Sequence, residues 1–144
     1  MKTLTLATVT AALFATSLAA QTAPGAGFIT GWDLDENGSV SFAEIVERRA
    51  DVFYTFDSNE DGVLTADEYV AFDEARAADQ KKENAGNGGG GHGKAAQGMT
   101  LEFNDVDGNG EVSREEFAQQ NEAWFAILDR NGDGEVTTAD FGQQ

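Results

Sequence analysis

The chain has 144 residues, no cysteine, and 26 acidic against 9 basic residues, which gives a formal net charge of −17. The absence of cysteine excludes disulfide bonds, thiolate metal sites and a lipid anchor attached through cysteine, and the acidic excess disfavours binding to nucleic acid or to anionic lipid. This length allows one small domain or two very small ones.

Residues 1–20 have the composition of a secretory signal peptide. Lys2 is followed by an apolar run over residues 4–18 and by the small residues Ala19 and Ala20, after either of which cleavage is expected. The alternative, a membrane anchor, needs about 20 apolar residues, and this run is shorter. The sequence therefore predicts a periplasmic or secreted protein that has no membrane contact after cleavage. Since Lys2 is removed, 26 acids and 8 bases remain, a net charge of −18.

Four 12-residue segments then repeat the pattern Asp-x-[Asp/Asn]-x-[Asn/Asp]-Gly, with an acidic residue six positions after the glycine. We call residues 33–44, 57–68, 105–116 and 129–140 loops one to four. In the EF-hand calcium loop this spacing places oxygen ligands at positions 1, 3 and 5, a backbone carbonyl at position 7 and a carboxylate at position 12, and the glycine makes the sharp turn at position 6. The predicted metal ligands are Asp33, Asp35, Asn37, Ser39 and Glu44; Asp57, Asn59, Asp61, Val63 and Glu68; Asp105, Asp107, Asn109, Glu111 and Glu116; and Asp129, Asn131, Asp133, Glu135 and Asp140.

Loop four differs from the others at position 12, where Asp140 stands in place of glutamate. Its side chain is one methylene shorter and is expected to supply one oxygen rather than two, which lowers calcium affinity and favours a six-coordinate ion such as Mg²⁺. At position 7 the backbone carbonyl is the ligand, so the side chains of Glu111 and Glu135 contribute only negative field. The alternative for every loop is an acidic, solvated turn without metal.

The spacing of the loops predicts the architecture. Only 12 residues, 45–56 and 117–128, separate the loops within each half of the chain. This is room for one helix of about 18 Å, so both loops of a half lie at opposite ends of one shared helix. We therefore expect an all-α, compact helical bundle in which the short strands at loop position 8 pair across halves, loop one with loop four and loop two with loop three.

The predicted organisation along the chain has four parts. After the signal peptide, residues 21–84 hold the first EF-hand pair and a following helix from about residue 66 to 84, residues 85–98 form a glycine-rich linker, and residues 99–144 hold the second pair. His92 stands alone in the glycine run and is interpreted as a solvated linker residue. With no thiol and no nucleophile motif, the sequence predicts a protein that is not an enzyme.

The loops resemble those of the EF-hand superfamily, and the export signal, four loops and 12-residue separations are similar to lanmodulin-type bacterial proteins. That resemblance implies a three-helix bundle, cross-paired loops, metal-driven folding and a preference for lanthanide ions. The loops depart from that type at position 2, which is not proline, and at position 9, which is serine or threonine rather than aspartate. The main prediction is thus an exported calcium buffer or sensor binding up to four Ca²⁺. The alternatives are a selective lanthanide binder and a calcium-dependent interaction module, similar to dockerin domains, with an unidentified protein partner.

Overall fold

The computed structural model describes residues 23–86 and 92–142, and the predicted signal peptide at residues 1–20 lies outside them. Their secondary structure is mostly helical with four two-residue strands. In chain order the elements are α1 (Ala26–Trp32), β1 (Val40–Ser41), α2 (Phe42–Phe56), β2 (Val63–Leu64), α3 (Ala66–Gly86), α4 (His92–Gln97), α5 (Leu101–Asn104), β3 (Val112–Ser113), α6 (Arg114–Gln119), α7 (Asn121–Leu128), β4 (Glu135–Val136) and α8 (Thr138–Phe141). None of the helices in these residues is long and apolar enough to cross a membrane.

The strands form two antiparallel pairs, each between the two halves of the chain. β1 pairs with β4, with Val40 opposite Val136, and β2 pairs with β3, with Leu64 opposite Val112. All four of these side chains are fully buried. The pairing follows from the short spacing between loops, because α2 separates β1 from β2 by its full length and leaves each strand to pair with one from the other half.

The two halves are related by an offset of 72 residues, since Asp105 and Asp33 begin equivalent loops (105 − 33 = 72). The expected single helix of the first half is present as α2, which begins with a capping box formed by Ser41 and Glu44. In the second half the expected single helix is divided in two. It is interrupted at Gln120, which separates α6 from α7.

The predicted linker at residues 85–98 is also more ordered than its glycine content suggests. The last two residues of α3 and all of α4 fall within it, while residues 87–91 lie outside the described part of the chain. Ala95 packs against the core, and Arg76 of α3 donates a hydrogen bond to the carbonyl of Ala96 at 2.8 Å. Alanine, lysine and glutamine favour helix at this point, and these contacts supply a surface for it.

The core is built mainly from residues that flank the loops. Phe28, Trp32, Trp124 and Phe141 form one aromatic cluster, with ring centroids 4.9–6.1 Å apart. Phe53 and Phe117, 5.6 Å apart, join α2 to α6. Burial of these side chains is the main favourable contribution to the fold, and it fixes where each loop begins and ends.

Candidate metal centres

In every loop the aspartate at position 1 closes the turn. In loop one, Asp33 accepts hydrogen bonds from the backbone N–H of Asn37 at 3.1 Å and of Gly38 at 2.8 Å. Asp57, Asp105 and Asp129 accept the same two bonds in the other loops. The glycines at position 6 have φ between 82° and 93°, a region that disfavours other residues, so the glycine is required for this turn.

Positions 3 and 5 hold one aspartate and one asparagine in each loop, in alternating order. Loops one and three have aspartate first, and loops two and four have asparagine first. Within each loop the asparagine amide donates to the neighbouring carboxylate at 2.8–3.0 Å. The position 5 side chain also accepts from the backbone N–H of position 7, that is, of Ser39, Val63, Glu111 and Glu135, at 2.7–3.0 Å. The residues at the predicted ligand positions 1, 3, 5 and 7 are thus connected to one another by hydrogen bonds.

The carboxylate at position 12 joins the start of each loop to the helix that follows it. In loop one, Oε1 of Glu44 accepts from the N–H of Leu34 at 2.7 Å, and Oε2 accepts from the N–H and the hydroxyl of Ser41, both at 2.8 Å. Glu68, Glu116 and Asp140 make the corresponding bonds in loops two to four. The hydroxyl residues at position 9 are therefore the caps of the exiting helices.

Three carboxylates converge in loops one and three. Oxygen atoms of Asp33, Asp35 and Glu44 lie within 4.8 Å of one another, and so do oxygen atoms of the equivalent residues Asp105, Asp107 and Glu116. Among the described residues no such group of three forms in loops two and four, where position 3 is asparagine rather than aspartate. The predicted metal-ligand atoms in all four loops are oxygens, which hard cations such as Ca²⁺ and Mg²⁺ prefer.

The position 12 carboxylates of loops one to three have lowered pKa values and are charged at neutral pH, as cation binding requires. The bond from the Thr65 backbone N–H is the main cause that lowers the pKa of Glu68 to about 2. The equivalent bond from Ser113 lowers the pKa of Glu116. Burial alone raises the pKa of Glu44, but the bonds from Ser41, Leu34 and Asp35 outweigh it and the net pKa is lowered. Each group is therefore an anion held by N–H donors, beside other anions.

Loop two has a cation close to its position 1 carboxylate. Arg114, the exposed first residue of α6, places its guanidinium 3.7 Å from Oδ2 of the buried Asp57. The N–H of Arg114 also donates to the carbonyl of Gly62 at 3.1 Å. A cation from the partner loop therefore offsets part of the negative charge of loop two.

Sequence reasoning missed the backbone requirement at position 4. Glu36 and Glu60 have φ of 59° and 58° there, and the equivalent residues Gly108 and Gly132 have 74° and 73°. A left-handed conformation costs a non-glycine residue roughly 1–2 kcal/mol. Loops three and four avoid that cost because they have glycine at position 4. This glycine was the sequence feature that could have predicted the left-handed conformation at position 4.

The residues that flank the loops form a second set that the motif did not reveal. Asn104, directly before loop three, is fully buried, and its amide donates to the Tyr69 hydroxyl at 3.3 Å, where Tyr69 directly follows loop two. The side chain carbonyl of Asn104 accepts from Arg49 of α2 at 2.7 Å. Burial raises the pKa of Tyr69 to about 12, so its hydroxyl remains protonated. This polar network connects the strand-paired loops two and three.

Comparison with known proteins supports the same family for three of the four loops. A family model described as EF hand matches residues 50–73, 100–119 and 122–143, which contain loops two, three and four. Loop one lies outside the matched residues, and its assignment rests on its sequence pattern and on the three converging carboxylates. A search among curated proteins finds no match for the chain.

Proposed function

We propose that this protein is an exported calcium-binding protein that takes up one Ca²⁺ in each of its four loops. The observation that carries the proposal is the convergence of Asp33, Asp35 and Glu44 and of their equivalents in loop three around a glycine turn. Three regions that match the EF-hand model support the same chemistry for loops two to four. The family typically binds calcium rather than catalysing a reaction, so the proposal includes no enzymatic role.

The charge of the chain gives calcium a structural role. Each loop holds three carboxylates at its ligand positions 1, 3, 5 and 12, so these positions carry twelve in the four loops, and four dications offset eight of those negative charges. Because the loops terminate the helices that form the core, relief of this repulsion favours the compact fold. We therefore expect metal binding to raise both the helix content and the stability of the protein.

The loops are expected to differ in affinity. Loops one and three, with three converging carboxylates, should bind Ca²⁺ most tightly. Loop two has Arg114 close to its position 1 carboxylate, and loop four has the shorter Asp140 at position 12. These two loops should bind more weakly, and loop four should take Mg²⁺ more readily than the others.

A second candidate is a calcium-dependent interaction module, and one surface favours it. Along α2, Phe42, Val46 and Tyr54 recur at intervals of four and eight residues and are 43%, 38% and 66% exposed. Large apolar side chains repeated on one helix face are typical of contact surfaces. The role as a calcium binder does not depend on this surface.

Isothermal titration of the mature chain with Ca²⁺, Mg²⁺ and La³⁺ tests the proposal. We expect four calcium sites in two affinity classes, and we expect Glu44→Gln and Glu116→Gln each to remove one tight site. Since each loop has three carboxylates at its ligand positions and serine or threonine at position 9, we expect no large preference for La³⁺ beyond that due to its charge. Failure of the mature protein to retain stoichiometric metal in millimolar calcium would refute the proposal. A strong selectivity for La³⁺ at every loop would replace calcium with a lanthanide as the physiological ion.

A further inference from the structure

Arg49 is a buried cation, and in the described part of the chain its hydrogen-bond acceptors are all neutral. Its side chain is 1% exposed, and its donors reach the carbonyls of Gly98 and Phe117, the side chain carbonyls of Asn104 and Asn121, and the sulfur of Met99. Its guanidinium lies 4.0 Å from the centroid of the Phe117 ring. Burial lowers its pKa to about 10, so it is still protonated at neutral pH. A buried charge without a carboxylate is costly and calls for an explanation.

The positions of these acceptors supply one. Asn104 directly precedes Asp105, the first residue of loop three, and Phe117 directly follows Glu116, its last. The same nitrogen of Arg49, Nη2, donates to Oδ1 of Asn104 at 2.7 Å and to the carbonyl of Phe117 at 2.9 Å. One buried group from α2 therefore holds together the two ends of loop three.

Loop one is a natural control within the same chain. It has the same residues at positions 1, 3, 5 and 12 as loop three, and its carboxylates converge in the same way. Its flanking residues, however, are Trp32 and Ile45, which pack in the apolar core. The residue equivalent to Arg49 is Asn121 (49 + 72 = 121), so α7 carries no cation at that position.

We propose that Arg49 is a positioning residue for the metal site of loop three. By fixing the ends of α5 and α6 against each other, it sets the separation of the carboxylates of Asp105 and Glu116 before metal arrives. It also makes closure of loop three depend on the packing of α2, which belongs to the other half of the chain. The inference rests on the proposed metal binding, and it adds a residue that bears no ligand atom.

The expected effect follows from preorganisation. Partners that orient metal ligands without touching the metal typically change affinity about 10- to 100-fold when they are removed. Loss of Arg49 frees the ends of loop three, so part of the binding free energy must then be spent on ordering them. Loop one has no bond to Arg49 and should lose much less affinity.

The experiment follows calcium binding loop by loop in the isotopically labelled, full mature chain. The amides of Gly38 and Gly110 donate to the position 1 carboxylates of loops one and three at 2.8 and 2.9 Å, so their nuclear magnetic resonance signals report on each site separately. For Arg49→Gln we expect the affinity of loop three to fall at least tenfold relative to loop one. Arg49→Lys retains the positive charge but lacks the Nη2 atom that bonds both ends of loop three. It should show an intermediate loss of calcium affinity at loop three.

Two variants separate this role from general destabilisation. Arg76→Gln makes the same change in charge, and Arg76 bonds the carbonyl of Ala96 and the carboxylate of Asp73, neither of which flanks a loop. Asn121→Ala removes only the bond to Nε of Arg49 and leaves both loop-end bonds in place. Neither variant should change the ratio of the two affinities. Thermal unfolding in chelator shows how far each variant lowers stability without metal.

The outcomes are distinguishable. If Arg49→Gln lowers the affinities of loops one and three equally, or neither of them, Arg49 has only a structural role and the inference is wrong. An equal shift of the ratio in Asn121→Ala would also overturn it, because the loop-end bonds remain. If neither glycine signal of the unsubstituted protein responds to calcium, the proposed function itself fails instead. Should Arg49→Gln not fold even with calcium, the ratio of the two affinities in Arg49→Lys decides between the two roles.

Discussion

The two strand-paired sets of loops have similar ligands but very different surroundings. Loops one and four are flanked by Trp32 and Phe141, which belong to an aromatic cluster with Phe28 and Trp124. Loops two and three are flanked by Tyr69 and Asn104, which hydrogen bond to each other. Each pair contains one loop with aspartate at position 3 and one with asparagine there. The ligand pattern alone therefore does not distinguish the pairs, and the flanking residues do.

The difference has a consequence for how each pair responds to its environment. Burial of apolar rings is a non-directional contribution to stability, whereas a buried polar network is stable only when every member has its partner. The second half shows the structural effect, since the helix between loops three and four is interrupted at Gln120, close to where the Phe117 carbonyl accepts from Arg49. In the first half, α2 is continuous over the equivalent residues. The polar pair is thus the more precisely positioned one.

Phe28→Ala should show the largest effect, on the aromatic pair. Phe28 is 7% exposed and stacks on Trp32 with a centroid separation of 5.3 Å. Its removal is expected to lower the free energy of unfolding by about 3–5 kcal/mol, measured by urea unfolding in saturating calcium. The affinities reported by the glycine amides of loops one and four should fall more than those of loops two and three.

Tyr54→Ala is the matched control for Phe28→Ala. It also removes an aromatic ring, but Tyr54 is 66% exposed. A surface substitution of this kind should change the free energy of unfolding by no more than about 0.5 kcal/mol. If Phe28→Ala weakened all four loops equally, the two pairs would not be independent and the comparison between them would be lost.

The local features of the fold could be predicted from the sequence, and the long-range ones could not. The position of each loop, its glycine turn and the helix that begins at position 10 depend on residues within 12 positions, so the motif contains them. Strand partners such as Val40 and Val136 follow from the shortness of the segment between loops. The environment of Arg49 does not, because its acceptors lie 49–72 residues away along the chain. The half-buried Arg48 beside it has the same side chain, and nothing in the sequence names the acceptors that Arg49 reaches.

The helix break and the order of α4 escaped prediction for the same reason. Residues 114–128 have good helical periodicity, and the interruption coincides with a hydrogen bond received from the other half of the chain. For α4 the glycines nearby suggested a linker, but Ala95 and Ala96 gain contacts with the core and with Arg76. In both cases tertiary contacts outweighed the local preference.

Gly98→Ala should have an intermediate effect, at the point where the two environments meet. The carbonyl of Gly98 accepts from Arg49 and from Asn104, and a Cβ added there would overlap the indole ring of Trp124. Either the indole or the turn must move, which typically costs about 1–3 kcal/mol. Thermal unfolding of the calcium-bound protein measures the loss. Gly93→Ala in α4 is the control, because a Cβ there meets nothing within 4 Å. A loss as large in Gly93→Ala would assign the effect to helix α4 rather than to the contact with Trp124.

Tyr69→Phe should have the smallest effect and tests the polar pair alone. The substitution removes one hydroxyl, which accepts from the Asn104 amide at 3.3 Å, and leaves the ring packed on Phe72. Since the Asn104 amide keeps its bonds to the carbonyls of Gly98 and Thr100, the expected loss in unfolding free energy is about 0.5–1.5 kcal/mol.

Tyr54→Phe, at an exposed position, is the control for loss of a phenol hydroxyl. If the hydroxyl helps to position the polar pair, the calcium affinities of loops two and three should fall slightly while loops one and four stay unchanged. A change confined to loops one and four would contradict this expectation and show that the hydroxyl acts through the aromatic cluster, whose Trp124 ring lies 5.0 Å from the Arg49 guanidinium.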